Sequence, residues 1–375
     1  MVAGASRGDA LRMSTRSATE RSAPPGKDYG YCNARIRGMK SRLFDRPYLE
    51  RLMSAHDVAA LIQELMQTEY APDLEQAIIH GRTAAQMDEA LKTNVVRVYR
   101  KVIRLLNGEA YDLVATLLGR WDLFNLRTIV RGKHVHLSTE EILDGLIPIG
   151  QMSAVDLHGL AACEDVRAVV DTAVTWGLPY AQALREGFHA YMKTGELPQL
   201  ELALDTYYAR WAAGRLSRRG ANAELAKRIL GTQIDTVNLM TLFRLLKADL
   251  EGLDPATFFL EGGLAVDREM FIELAGMSDV DEMLDRLKGT PYGKTLEDAA
   301  LAYLEGGSVA VFERELEELL TRRAVRSGLA DPLGVGVAVA YLWAKLNEVT
   351  NLRIIVKGKA VGMPDDRIRR ELILV

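Results

Sequence analysis

Cysteine is nearly absent from this 375-residue chain: Cys32 and Cys163 are its only two. They share no short-range motif, so a reducing setting with two buried or inert thiols fits. Proline is sparse, at eleven residues, which favours long helices. A basic excess is missing as well. The formal net charge is −4, which gives little electrostatic support to phosphate-backbone binding, and nucleic acid is not an expected partner. No apolar run is long enough to span a bilayer: the longest uncharged stretch, Pro332 to Ala344, stops at Lys345, well short of the ~20 residues required. Any service to a membrane is therefore rendered from outside it. Period-two alternation is also missing, and no strand is predicted.

What remains is ordinary soluble-protein composition, 48% hydrophobic and 26% charged, in a chain longer than one core usually holds. Two or three units are expected. Residues 1–28 stand apart, rich in Ser, Arg, Thr and Ala and ending in Pro24-Pro25-Gly26. Without an apolar core this stretch is no secretory signal. It reads as a disordered tail, with a basic transit peptide or an upstream start codon as the alternatives.

An internal repeat organises the rest. Asp122-x-x-Asn125-Leu126, Asp235-x-x-Asn238-Leu239 and Glu348-x-x-Asn351-Leu352 each continue to an aliphatic residue, an apolar residue and a base: Ile129-Val130-Arg131, Leu242-Phe243-Arg244 and Ile355-Val356-Lys357. The asparagines are 113 residues apart both times. A second triplicated feature comes earlier in each copy: Leu52-x4-Asp57-Val58, Leu160-x4-Asp165-Val166 and Leu274-x4-Asp279-Val280. Three units follow, at 29–145, 146–260 and 261–375.

Each unit reads as helical. Val95, Val98, Val102, Leu105 and Leu106, and again Leu113, Leu117 and Leu118, form apolar stripes at helical spacing. Ser54 and Ser278 are read as N-caps, and Gly132 and Gly358 as C-caps that end the repeated helix. In that helix the acid and the asparagine, three residues apart, share a face, with Leu126, Ile129 and Val130 on a neighbouring core side. Asp122, Asn125, Asp235, Asn238, Glu348 and Asn351 are read as structural, satisfying helix-end or inter-helix hydrogen bonds. The basic helix ends, Arg127, Arg131, Lys133, Arg244, Lys247, Arg353, Lys357 and Lys359, are the candidate partner-contact surface. The helix dipole alone also favours bases there. Three similar bundles arranged about a pseudo-threefold axis would leave a concave centre.

Recognisable chemistry is lacking. Gly289-Thr-Pro-Tyr-Gly293-Lys294-Thr295 is one residue short of a phosphate-binding loop and follows a predicted helix instead of a strand. Gly334-Val-Gly336 lacks the third glycine of a dinucleotide site and is read as a helix start in close packing. His134 and His136 have no further ligand at metal spacing. His56, His80, His158 and His189 are scattered, neither cysteine sits in a nucleophile turn, and Glu313, Glu315, Glu317 and Glu318 read as a solvated helical face. No catalytic residue, cofactor, metal or small-molecule substrate is expected.

The stretch Tyr29-Gly-Tyr31-Cys-Asn-Ala34-Arg35-Ile36-Arg37-Gly-Met-Lys40-Ser41-Arg42-Leu43 resembles the opening of the V/A-type ATPase C-subunit family, which includes the d-subunit of eukaryotic vacuolar enzymes. The Asn-Leu-Arg motifs at Asn125–Arg127 and Asn351–Arg353 and the repeat length are similar too, and the likeness runs from about residue 29 to the C-terminus. The resemblance implies an all-α funnel of three similar helical bundles and a non-catalytic piece of the central stalk serving ion transport. Its partners would be the tip of the D/F rotor shaft and the membrane proteolipid ring. It would sit peripherally at the cytoplasmic face of a prokaryotic plasma membrane. The middle copy departs from the pattern, with Met240 and Leu245 where the others have arginine and glycine. The rival readings are a generic helical scaffold of another complex and an enzyme with a site at the repeat junctions.

Overall fold

The triplicated aspartate, and not a serine, starts a helix in each unit. In the computed structural model, which describes residues 27–246 and 254–374, Asp57, Asp165 and Asp279 are extended N-caps. Their carboxylates accept the backbone N–H of Ala60, Ala168 and Glu282 at 2.8, 2.7 and 2.8 Å, satisfying a donor the helix leaves orphaned. Ser54 instead closes the preceding helix in αR conformation, its hydroxyl donating back to the Arg51 carbonyl at 2.7 Å. Ser278 donates to Glu282.

Among the described residues there are eighteen α-helices, two short 3₁₀ turns and no strand. The class is all-α. One order of helices recurs three times. Arg46–Met53, Ala154–Ala161 and Arg268–Ala275 come first, followed by the Asp-capped helices Val58–Leu65, Val166–Thr175 and Val280–Leu287. A third short helix leads to a long one, Ala84–Leu105, Pro198–Arg215 or Ala310–Ala330. Then come the central helices, Gly108–His134, Ala221–Leu245 and Gly336–Ala360, and a short closing turn or helix: Thr139–Gly145, Pro255–Phe258 or Asp365–Glu371. One extra helix, Lys27–Lys40, precedes the first copy. Residues 1–26 of the predicted tail, and Lys247, lie outside the described residues.

Central helices carry apolar residues on several faces because they are covered from several sides. Leu126, Ile129, Val130, Leu239, Leu242, Phe243, Leu352, Ile355 and Val356 are all buried, each contributing about 1.5–3 kcal/mol relative to exposure. Much of that cover comes from the next copy along the chain. Gly108–His134 packs on Pro198–Arg215, Ala221–Leu245 on Ala310–Ala330, and Gly336–Ala360 on Ala84–Leu105 of the first copy.

Gly132 and Gly358 are not C-caps, since their helices run on to His134 and Ala360. A Cβ on Gly132 would lie 2.5 Å from Cγ1 of Ile142, and one on Gly358 2.6 Å from Cγ1 of Ile368. These glycines let the closing helix lie against the central one. The reading of Gly336 as a helix start in close packing holds, because a Cβ there would meet the Ser327 carbonyl at 2.5 Å.

The starts of the three central helices meet around the first helix. Tyr29 Oη donates to Glu109 at 3.3 Å and accepts from Asn222 at 3.0 Å. Asn222 Oδ1 accepts the N–H of Val335 at 3.0 Å, and Asn33 donates to the Gly334 carbonyl at 3.1 Å. Glu109, Asn222 and Val335 belong to or adjoin the first, second and third central helices.

Candidate functional site

Each repeated asparagine is buried and meets the backbone N–H and C=O of one residue 22 positions further on. Asn125 donates to the Ile147 carbonyl at 2.9 Å and accepts its N–H at 2.8 Å. Asn238 does the same with Leu260 at 2.9 and 2.9 Å, and Asn351 with Ile373 at 2.8 and 2.9 Å. The amide answers that residue's N–H with an acceptor and its C=O with a donor, so the segment returning after the closing turn is pinned to its own central helix.

The acid one turn earlier holds the following copy. Asp122 accepts the N–H groups of Gln151 and Met152, both at 2.9 Å. Asp235 accepts Leu264, Ala265 and Val266 at 2.9, 2.7 and 3.2 Å, and the Tyr292 hydroxyl at 2.7 Å. Glu348 reaches back to the first copy: the Phe44 N–H at 2.5 Å and the Tyr70 hydroxyl at 2.7 Å. Phe44, Met152 and Val266 each lie just ahead of the first helix of a copy, in the same register. The three acids therefore do one job in cyclic order.

Burial pushes the Asp122 carboxyl up to about 6 against the opposing pull of its two backbone donors. Asp235 is raised for the same first reason, with Tyr292 and its three backbone donors opposing. The third junction carries more charge. Lys345, itself buried, donates to Glu348 Oε1 and to Tyr70 Oη at 2.8 Å each. Burial lowers its pKa, and Glu348 pulls the other way.

Several of the basic residues predicted to meet a partner are engaged across these junctions. Arg127 pairs with Asp205, and Arg131 with Glu201 at 2.6 Å. Arg244 pairs with Glu313 at 3.1 Å and Arg353 with Asp88 at 2.5 Å. Lys133 is buried, and Lys359 pairs with Asp365 at 2.7 Å. Arg131, Arg244 and Lys357 occupy one position on the three central helices, and all three are exposed. The acidic stripe is more than a solvated face, since Glu313, Glu317 and Glu318 pair with Arg244, Arg120 and Arg322.

The structure also brings forward residues that sequence reasoning passes over. In the sequence Lys345 is only the stop of an apolar run, and Tyr70 and Asn222 carry no motif. A signal for Tyr70 exists: Tyr70 and Tyr292 stand as far apart as Asp57 and Asp279. Among the described residues no cluster of three His, Cys, Asp or Glu side chains could hold a metal, and no helix is long and apolar enough to cross a membrane.

The chain matches the model of the ATP synthase (C/AC39) subunit family over residues 32–371. It is 29% identical over 369 residues to a Methanococcoides burtonii protein named as the C-subunit of an A-type ATP synthase, covering 97% of this chain and 99% of that one. To the protein of that name from Methanobrevibacter smithii it is 31% identical, covering 91% and 87%. A Deinococcus radiodurans protein, named as the C-subunit of a V-type ATP synthase, is 29% identical, with 92% and 91% covered.

Proposed function

Since the chain belongs to the ATP synthase (C/AC39) subunit family, we propose that it is the non-catalytic central-stalk piece coupling the D/F rotor shaft to the membrane proteolipid ring of an A/V-type ATP synthase. In this reading it sits peripherally at the cytoplasmic face of the membrane and makes or breaks no covalent bond itself. The observation that carries the reading is the cyclic order of the junctions, Asp122 to Met152, Asp235 to Val266 and Glu348 back to Phe44. Three like bundles that hand on to one another and return to the first support a funnel about a pseudo-threefold axis. The meeting of the three central-helix starts around Tyr29 supports a narrow closed end.

Torque needs a stiff body, and close-packed helices deform little. Of the predicted basic set, Arg131, Arg244 and Lys357 are the three we assign to the shaft, because they are exposed at one shared position. Tagged full-length chain is expected to co-purify with D, F and the ring. Arg131→Ala/Arg244→Ala/Lys357→Ala is expected to weaken D/F capture about tenfold with helicity unchanged. Capture of neither shaft nor ring by the unaltered chain would overturn the reading.

A further inference from the structure

The long helix Ala84–Leu105 borders a groove of about 540 Å³ whose other wall is the segment 143–148 and the first helix of the second copy, Ala154–Ala161. Its floor is apolar, with Val96, Leu146 and Leu157 lining it. Its rim is basic. Lys92, Arg97, Arg100 and Arg104 line it, facing a single lining carboxylate, Glu89, among the described residues. Arg97, Arg100 and Arg104, three and four residues apart, follow one face of the helix, and Lys92 lies at the edge of that face. Arg97 is committed to Asp73 at 2.7 Å, and Lys92 lies 3.6 Å from Asp88. Arg100 and Arg104 are exposed and have no ion-pair partner among the described residues.

The repeat supplies an internal control. At the second junction the like place is a smaller hollow of about 220 Å³. Tyr99 and Tyr208 donate to like carbonyls of the central helices, those of Leu342 and Thr116. In that register Thr206 stands for Arg97 and Ala209 for Arg100, and Arg210 and Arg268 are the lining cations beside Glu261. At the third, Glu313 and Glu317 hold the places of Lys92 and Val96 and pair with Arg244 and Arg120. Four lining cations against one carboxylate at the first junction, beside two against one at the second, are therefore not a product of the packing that the junctions share.

We propose that this groove receives an acidic amphipathic helix of a partner protein, apolar side down on Leu146 and Leu157, with its carboxylates against Arg100 and Arg104. The inference deepens the reading above and rests on it, since the partner is placed in the same rotary assembly. Glu89 to Arg104 spans about 22 Å of helix axis, enough to seat about four turns of a partner helix. The apolar floor favours such a helix over a bare phosphate backbone, and helix-in-groove docking is a common recognition mode.

The test uses the full chain in the assembled complex purified from its own membranes, with a photo-crosslinking amino acid in place of Thr93. A crosslink to a Glu/Asp-rich helical segment of another protein of the complex is expected. Its yield should fall about fivefold or more in Arg100→Glu/Arg104→Glu and with rising salt. Both arginines are exposed, so circular dichroism should show the variant folded. Four results would overturn the groove assignment while leaving the rotor reading intact: an assembled complex with no crosslink from position 93, a yield indifferent to charge reversal, a lipid adduct, or a nucleic-acid adduct. Failure of the chain to co-purify with any other ATPase component would sink both.

Discussion

An asparagine side chain carries an NH2 donor group and a carbonyl acceptor, and Asn125, Asn238 and Asn351 each use both on a single backbone residue. Truncation to Ala leaves a buried N–H and a buried carbonyl unmatched at Ile147 and Leu260, whereas the partly buried Ile373 carbonyl keeps a donor in Asn347. Asn125→Ala and Asn238→Ala are each expected to cost about 2–4 kcal/mol, read from urea unfolding, and Asn351→Ala less. A near-neutral Asn238→Ala would show that the middle copy does not depend on its clasp. Asp122 makes a prediction in pH. Its folded pKa is raised to about 6, so the folded state binds the proton more tightly than the unfolded chain, whose carboxyl titrates near the ordinary 3.8. The contribution is full below that unfolded value and is lost as pH rises through about 6. Stability of the unaltered chain relative to Asp122→Asn is therefore expected to fall between pH 4 and 7, by on the order of 2–3 kcal/mol. Unfolding curves of the two proteins at several pH values check the sign.

At the scale of the element, Gly→Ala inside a helix ordinarily stabilises by about 0.5–1 kcal/mol. At Gly132 and Gly358 the added methyl would meet Ile142 or Ile368, and displacing a packed closing helix costs about 1–3 kcal/mol. The clash outweighs the propensity gain. Gly132→Ala is expected to lower the melting temperature, and Ile142→Ala in the same chain to cost less than it does alone. A melting temperature raised by Gly132→Ala would mean the closing helix shifts freely. The same glycines mark where reading by residue type stops. Helices, their apolar stripes and the period of 113 are local patterns and are legible in the sequence. Whether a glycine ends a helix or lies inside one is set by Ile142 and Ile368, which come from elsewhere in the chain. The caps illustrate the same limit, since serine and aspartate are nearly equal as caps and only backbone conformation chooses Asp57 and Asp279.

For the whole molecule, the acids and asparagines are visible in the sequence but their partners are not. Ile147, Leu260 and Ile373 offer only backbone, and Glu201, Glu313 and Asp88 lie in another copy, 70, 69 and 265 residues from the arginines they pair with. The basic helix ends thus look like a free surface when several already bind the next copy. The third junction differs from the other two in joining parts distant in sequence, Glu348 to Phe44, and in burying Lys345 between Glu348 and Tyr70. Removing one partner of a buried pair costs about 3–5 kcal/mol, whereas removing both charges costs far less. Lys345→Met is therefore expected to destabilise strongly, and Lys345→Met/Glu348→Gln to recover at least half of the loss, since glutamine still accepts the Phe44 N–H. The location of the damage matters more than its size. Hydrogen exchange in Lys345→Met is expected to quicken at Phe44 and through Arg46–Met53, while Met152 and Val266, held by Asp122 and Asp235, keep their protection. Equal loss at all three would mean the molecule opens as one body; loss at Phe44 alone would identify the third junction as the seam where the cycle of copies parts.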